Sequence, residues 1–263
     1  MNVIKIDLPE ELSSLELHTM ADLHIGDNFC DIGLIKGTIE HIITTPNAYL
    51  ILNGDLLNNA TKTSVSDSYA EKLSPMKQIS TIIELLTPIR DKIICINSGN
   101  HERRTYIKEG IDLMEVVARE LGLYHLYSRA SSFIFLRFGR EAKGRKNHRG
   151  EVRKICYTIY ANHGTGGGRK AGSKINRLEA MSDIVDADIY IHSHTHLPAV
   201  MKQDFLRPNI FNSIVTQVTQ LFVNTSATLN YGGYGEEFEY KPSAKDTPTI
   251  YLNGTKKEMF AKL

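Results

Sequence analysis

Residues 92–104 read "KIICINSGNHERR". The stretch opens on apolar, β-branched residues, the pattern of a buried strand. It stops at Ser98-Gly99, a turn signal. Asn100, His101 and Glu102 follow at once, side chains that bind metals and move protons. In α/β sheets the ligand crevice lies in the loops beyond the carboxyl ends of the strands. A buried strand that ends in glycine and then in such residues therefore points to an α/β fold with a site at its strand ends.

The same arrangement recurs along the chain. "LELHTMADLH" (15–24) reads as a strand running into Asp22 and His24, and "NAYLILNGD" (47–55) as a buried strand ending at Gly54-Asp55. "EVRKICYTIYANHG" (151–164) carries His163 at its end, and "ADIYIHSH" (187–194) leads into His194 and His196. Helical spacing fills the gaps. It predicts helices over 34–44, over 74–90 with Ser74 as cap and Pro75 at the first position, over 106–122 with Gly122 as C-terminal cap, and over 173–185. "SSFIFLRFG" (131–139) reads as a further strand. From about 198 onward, β-branched and aromatic residues recur between turn signals, and Asn253-Gly254 marks a hairpin. We expect one α/β domain over 1–263 in which helices cover two packed sheets.

The chain has 263 residues, enough for a substantial core, with 41% hydrophobic and 23% charged residues. A formal net charge of +1 gives the whole molecule no strong field for nucleic acid or membrane. Cys30, Cys95 and Cys156 are far apart and odd in number, which argues against a disulfide framework. The N-terminal stretch shows no signal-peptide pattern, and no apolar run approaches the roughly 20 residues of a membrane span. A reducing cytoplasm is the expected compartment.

Each strand-end fragment is weak alone, since an Asp-x-His is common by chance. The ordered set is specific. Asp22-x-His24, Gly54-Asp55, Gly99-Asn100-His101-Glu102, His163 and His194-x-His196 resemble the calcineurin-like metallophosphoesterases, over residues 22–196, about two thirds of the chain. Two positions depart from the common pattern: Ser193 stands where glycine usually precedes the last His-x-His, and Asn58 follows Gly-Asp at a variable offset. The resemblance implies a two-sheet β-sandwich flanked by helices, in four layers, with a two-metal centre. Carried over by position, Asp22, His24 and His196 bind one ion, Asn100, His163 and His194 the other, and Asp55 bridges both. His101 is implied as general acid near the leaving group, and Glu102 either holds an imidazole or caps the next helix.

Elementary chemistry agrees with that implication. Oxygen and imidazole donors without thiolate suit manganese first, with iron, nickel, zinc or magnesium as alternatives. Two divalent ions, two aspartates and one hydroxide leave an excess positive charge, which attracts phosphate; an Asp in place of Asn100 would cancel it. Two such ions roughly 3.5–4 Å apart can clamp a phosphoryl group during in-line attack by a hydroxide between them.

In an extended chain His192, His194 and His196 would face one way. The resemblance instead sends His194 to one ion, His196 to the other and His192 to neither, so the strand should end near Ser193. In "HGTGGGRKAGSK" (163–174), Gly166, Gly167, Arg169 and Lys170 are candidates for substrate phosphate ahead of a helix; Arg103 is another. The segment 137–154 carries eight basic against two acidic residues, a local charge of +6, and is a candidate nucleic-acid contact. "DLHIG" (22–26) resembles the repair-nuclease branch of the superfamily. Two enzymatic readings follow, a nuclease or end-processing enzyme and a phosphatase or phosphodiesterase for small molecules, nucleotides or phosphoproteins. The non-enzymatic reading is a protein-binding scaffold, but such relatives have lost ligands, and here every ligand position is filled.

Overall fold

The computed structural model describes residues 1–263 except 63, 65–67, 70, 147–151 and 167, and describes side chains at the remaining positions except 140–146, 152, 153 and 234. In chain order its elements are β1 (Asn2–Asp7), β2 (Ser14–Met20), α1 (Ile32–Thr44), β3 (Ala48–Asn53), α2 (Pro75–Leu86), β4 (Ile93–Asn97), α3 (Asn100–Glu109), α4 (Leu113–Glu120) and β5 (Tyr127–Ser128). There follow β6 (Ser131–Lys146), β7 (Val152–Asn162), α5 (Ala171–Glu179), β8 (Ile189–His192), β9 (Ala199–Asn209), β10 (Ile214–Asn224), α6 (Tyr234–Glu237), β11 (Thr249–Asn253) and β12 (Met259–Lys262).

The strands form two mixed six-stranded sheets, ordered β12-β11-β2-β3-β4-β5 and β1-β6-β7-β8-β10-β9. Period-2 alternation decides how they pack, broken at β4 by a register shift that puts the adjacent Ile94 and Cys95 in one core. Leu15, Leu17, Ile51, Ile94 and Cys95 of the first sheet meet Ile134, Leu136, Tyr157, Ile159, Ile189 and Val223 of the second in one core. Leu50, Leu52, Ile93 and Ile96 face the other way and are covered by Ile35, Ile39 and Ile42 of α1, Ile79 and Ile82 of α2, and Met114 and Val117 of α4. Leu178 of α5 and Met181 cover Tyr160, Tyr190 and Phe222 on the far side of the second sheet. The result is helix, sheet, sheet, helix: the four-layer sandwich the sequence leads one to expect.

What positions the site is polar. β2, β3 and β4 run parallel, as do β7, β8 and β10, so their carboxyl ends lie side by side. Asparagines occupy the last rungs, with Asn53 opposite Asn97, and Asn162 and Asn224 on either side of His192. They join the two sheets. Asn97 donates to Asn53 Oδ1 (2.9 Å) and across to Ala161 O (3.1 Å), while Ser132 donates to Asn97 Oδ1 (2.7 Å). Asn53 donates to Asn162 O (3.0 Å) and Ser193 Oγ (2.8 Å).

Some elements differ from the sequence reading. The helix expected over 106–122 is two helices. Gly110, at φ 71°, ends α3, and Asp112 starts α4 by accepting from the Glu115 N–H. The first of them begins six residues early, at Asn100, directly behind the glycine turn. α2 stops at Leu86 and continues as a 3-10 turn, and its N-cap Ser74 makes no side-chain cap bond. α5 starts at Ala171 and ends at Glu179. The Asn253-Gly254 hairpin forms, but with a longer loop, closed by Asn253 N–H on Glu258 O (3.0 Å). The three cysteines are free.

Asn97→Ala removes the partner of Asn53 and of Ser132 within a fully buried network. We expect a loss of about 1–3 kcal/mol for each polar group left unsatisfied. Urea unfolding checks this: the midpoint falls while the slope stays at its wild-type value.

Candidate metal centre

Beyond the strand ends the backbone turns left-handed. Asp22 (φ 51°), His24 (48°), Asp55 (51°), His194 (65°) and His196 (51°) account for five of the eight non-glycine residues with positive φ among those described. A single such residue bends the chain, so neighbours two apart no longer point the same way. Asp and His tolerate this region better than most side chains. Ser193 needs no such freedom, so serine replaces glycine there without strain; its N–H donates to His163 O (3.1 Å).

Three groups of donor atoms converge, each within 4.8 Å: Asp22, His24 and His196; His24, Asp55 and His101; and Asp55, His163 and His194. Asn100 joins the last through Oδ1, 3.2 Å from His163 Nε2. Each carboxylate is split between two tasks. Asp22 Oδ2 accepts from the His194 N–H (3.0 Å), while Oδ1 faces His196 Nε2 (3.2 Å). Asp55 Oδ1 accepts from the His101 N–H (2.8 Å), while Oδ2 faces His163 Nε2 (3.2 Å). Two rings are turned by carbonyls. His163 Nδ1 donates to Asn53 O (2.8 Å) and His101 Nδ1 to Asn58 O (2.7 Å), leaving Nε2 of each toward the carboxylates. Backbone carbonyls commonly orient metal-binding histidines in this way.

The electrostatics follow from burial against proximity. At Asp22 burial opposes ionisation, but His196 and His163 outweigh it and bring the carboxyl down to about 2. At Asp55 burial is likewise overcome, by His163 and His101, which hold it well below the usual carboxylate range. Burial, with His101 close by, drives His24 well below the usual imidazole range. Burial and then His163 lower His194 to about 4. Burial works against charge at His163 too, yet Asp55 and Asp22 push it up to about 10.

The residues fit a divalent ion on one observation above all. Both ring nitrogens of His24 are buried with no hydrogen-bond partner. Such groups are costly to bury unless something ligates them. A cation among Asp22, His24 and His196 would do so, and these nitrogen and oxygen donors suit a borderline divalent metal.

The centre floors a cavity of about 780 Å³. Gly166, Arg169 and Lys170, candidates from the sequence, line it. Gly167 lies outside the described residues. Arg103 does not line it; that side chain is exposed, and Arg104 lines the cavity instead. The reason is helical phase. With α3 starting at Asn100, residue 104 shares a face with His101 and residue 103 is turned away. Of the two roles read for Glu102, holding an imidazole or capping the next helix, its buried carboxylate takes the cap. It accepts the N–H groups of Gly99 (2.9 Å), Asp55 (3.1 Å) and Leu57 (2.9 Å), binding the Gly54-Asp55 loop to the start of α3. Burial and the Asp55 carboxylate raise it to about 7. The approach of those two loops requires Gly99, where a Cβ would meet Asp55 Oδ1 at 2.1 Å.

His192 belongs to none of the three donor groups. It pairs with Asn224 Oδ1 (2.8 Å) under Gly164, where a Cβ would meet its Nε2 at 2.2 Å. Reading the sequence did not find Asn53 and Asn58, which orient the rings, nor Phe29, Lys174, Tyr231, Tyr240 and Lys241 of the cavity wall. Only Arg104 left a usable signal, its three-residue spacing from His101.

No protein-family model matches the chain, and no curated protein matches it. Among solved structures it is similar to a calcineurin-like phosphoesterase from Bacillus subtilis, at 13% identity over 95% of this chain and 90% of that one, with a TM-score of 0.43. It is also similar to a metallophosphoesterase from Sphaerobacter thermophilus (11%, 91% and 84%, 0.40) and to a nuclease from Pseudomonas putida (11%, 94% and 87%, 0.35). At these scores the likenesses carry no weight, and the reading of the site rests on its side chains.

Glu102→Gln sets an amide NH2 against backbone N–H donors. We expect about 1–3 kcal/mol of lost stability in chemical denaturation, and metal retention weakened roughly 10–100-fold in competition with a chelator.

Proposed function

We propose that the chain is a calcineurin-like metallophosphoesterase, a metal-dependent hydrolase of phosphoric esters. The observation that carries this is the pair of aspartates, each with one oxygen fixed by a backbone N–H and the other turned toward imidazoles, beside a histidine with two buried, unpartnered nitrogens. In this reading Asp22, His24 and His196 hold one divalent ion, Asn100, His163 and His194 hold a second, and Asp55 serves both. When bound, such ions polarise the phosphoryl group and provide a nucleophile at neutral pH.

The rest falls to the chain itself. The ring of His101, fixed by Asn58 O, offers Nε2 to the leaving-group oxygen as proton donor. Arg104, Arg169, Lys170 and Lys174 line the cavity with positive charge for a substrate phosphate. The cavity is large enough to take the ester group as well as the phosphate. Manganese is the ion we would supply first.

The described strands that lead into the basic segment 137–154 run away from the cavity. Its side chains at 140–146, 152 and 153, and all of 147–151, lie outside the described set. The backbone of β7 runs from Val152 to Asn162, next to His163. At about 3.3 Å per residue, the start of β7 and the centre stand at opposite ends of the sheet. We therefore assign the nucleic-acid reading to long substrates alone, and a phosphate mono- or diester of modest size to the cavity.

Several measurements test this. Asp55→Asn should lose bound metal and hydrolysis together; wild-type protein without metal-stimulated turnover on any chromogenic mono- or diester, DNA or RNA would refute the assignment. His101→Gln should lower kcat about 10²–10⁴-fold with metal content unchanged, whereas loss of a metal equivalent would make His101 a ligand. Replacing Arg169 and Lys170 by Gln should raise KM. Charge reversal at Arg145, Lys146 and Arg149 should leave turnover of a small ester intact and weaken only a long nucleic acid.

A further inference from the structure

A second convergence of ligand atoms lies on β2, away from the strand ends. Leu15 and Leu17 face the core between the sheets, so Glu16 and His18 face the opposite side, toward α1. His41, in the last turn of α1, reaches the same point. His18 Nε2 and His41 Nε2 lie 2.8 and 2.6 Å from a single oxygen, Glu16 Oε1, and the two rings meet edge-on at 5.1 Å. One donor atom from each of the three residues lies within 4.8 Å of the others.

We propose that Glu16, His18 and His41 bind one zinc-class divalent ion at a site separate from the strand-end centre. The donor set selects the class of ion. Two imidazoles and a carboxylate suit zinc, nickel or cobalt, whereas calcium and magnesium take oxygen donors. The scaffold is already rigid: two ligands come from one strand face and the third from a packed helix. The His18 and Glu16 side chains are only 12% and 16% exposed, while His41 is 48% exposed. An ion thus enters past His41 and keeps a position open to water. The negative end of the α1 dipole lies there and favours a cation; Lys92 occupies part of it by donating to Ile42 O and Thr45 O. In the neutral rings, binding moves each proton from Nε2 to Nδ1, so the two N–H···O contacts are exchanged for metal bonds. The bound ion clamps the end of α1 to the sheet and has no part in ester hydrolysis.

The test counts zinc. Full-length wild type, His41→Ala and Glu16→Gln are dialysed against micromolar free zinc, and metal per protein is read by mass spectrometry. Because the strand-end centre is the same in all three, the difference reports this site alone. Wild type should retain one zinc more than each variant, and zinc should raise the melting temperature of wild type more than that of His41→Ala. Far-UV circular dichroism confirms the fold, and the half-exposed His41 makes its variant the safe one. Equal zinc content in wild type and His41→Ala would overturn the site and leave a Glu-bridged histidine pair that needs no metal.

Discussion

The amide of Asn53 sits where the whole molecule is registered. It is fully buried and bonded to Asn97 in its own sheet, and to Asn162 O and Ser193 Oγ in the other. Two hydrophobic sheet faces would pack in many relative positions, because apolar contact is non-directional. Buried amides do not allow this, since each slip would leave polar groups without partners. The asparagine rungs therefore bring the carboxyl ends of six parallel strands to one edge. Asn53 also supplies the carbonyl that turns His163. A core constraint and a site constraint meet in one residue.

From that edge the chain leaves by left-handed turns. The pairs Asp22 and His24, and His194 and His196, both have positive φ at each member. This backbone explains what a strand cannot do. His194 gathers with Asp55 and His163, and His196 with Asp22 and His24, although only Thr195 separates them. His192 remains on the strand, inside the β10–β8–β7 ladder, and spends its Nδ1 on Asn224. Each left-handed residue costs backbone energy. The cost is offset by the N–H groups these turns direct to carboxylates, such as His194 N–H on Asp22.

The layered fold was legible because strand and helix periods are local properties of sequence. The donor set was legible because its residues sit directly behind buried strands. Helix ends were less so: Gly110 lies within an otherwise helical pattern, and only its φ of 71° shows that it stops α3. That misplaced start hid the phase of α3, and with it the exchange of Arg103 for Arg104 at the cavity. Glu102 was legible in part. Its three-residue spacing from Gly99 marks the helix cap, but the Asp55 and Leu57 N–H groups it also holds belong to a loop brought near by Gly54 and Gly99, of which spacing carries no trace. The cavity wall from Phe29 to Lys241 joins residues remote in sequence, which no local pattern reveals.

The two ligand clusters differ in a way that separates their chemistry. At the strand ends the donors are pinned by backbone groups from several loops, and both buried ring nitrogens of His24 lack hydrogen-bond partners. Such a site gains most when a cation enters, and its charge is exposed to a cavity with basic walls. On β2 the donors already satisfy one another through Glu16, and Thr45 Oγ1 approaches His41 at 3.5 Å. Glu16, His18 and His41 do not line the basic-walled cavity. A cation there replaces existing bonds instead of filling a need, and holds a helix in place. Polar satisfaction thus distinguishes a centre arranged for reaction from one arranged for attachment, though both combine carboxylates with imidazoles.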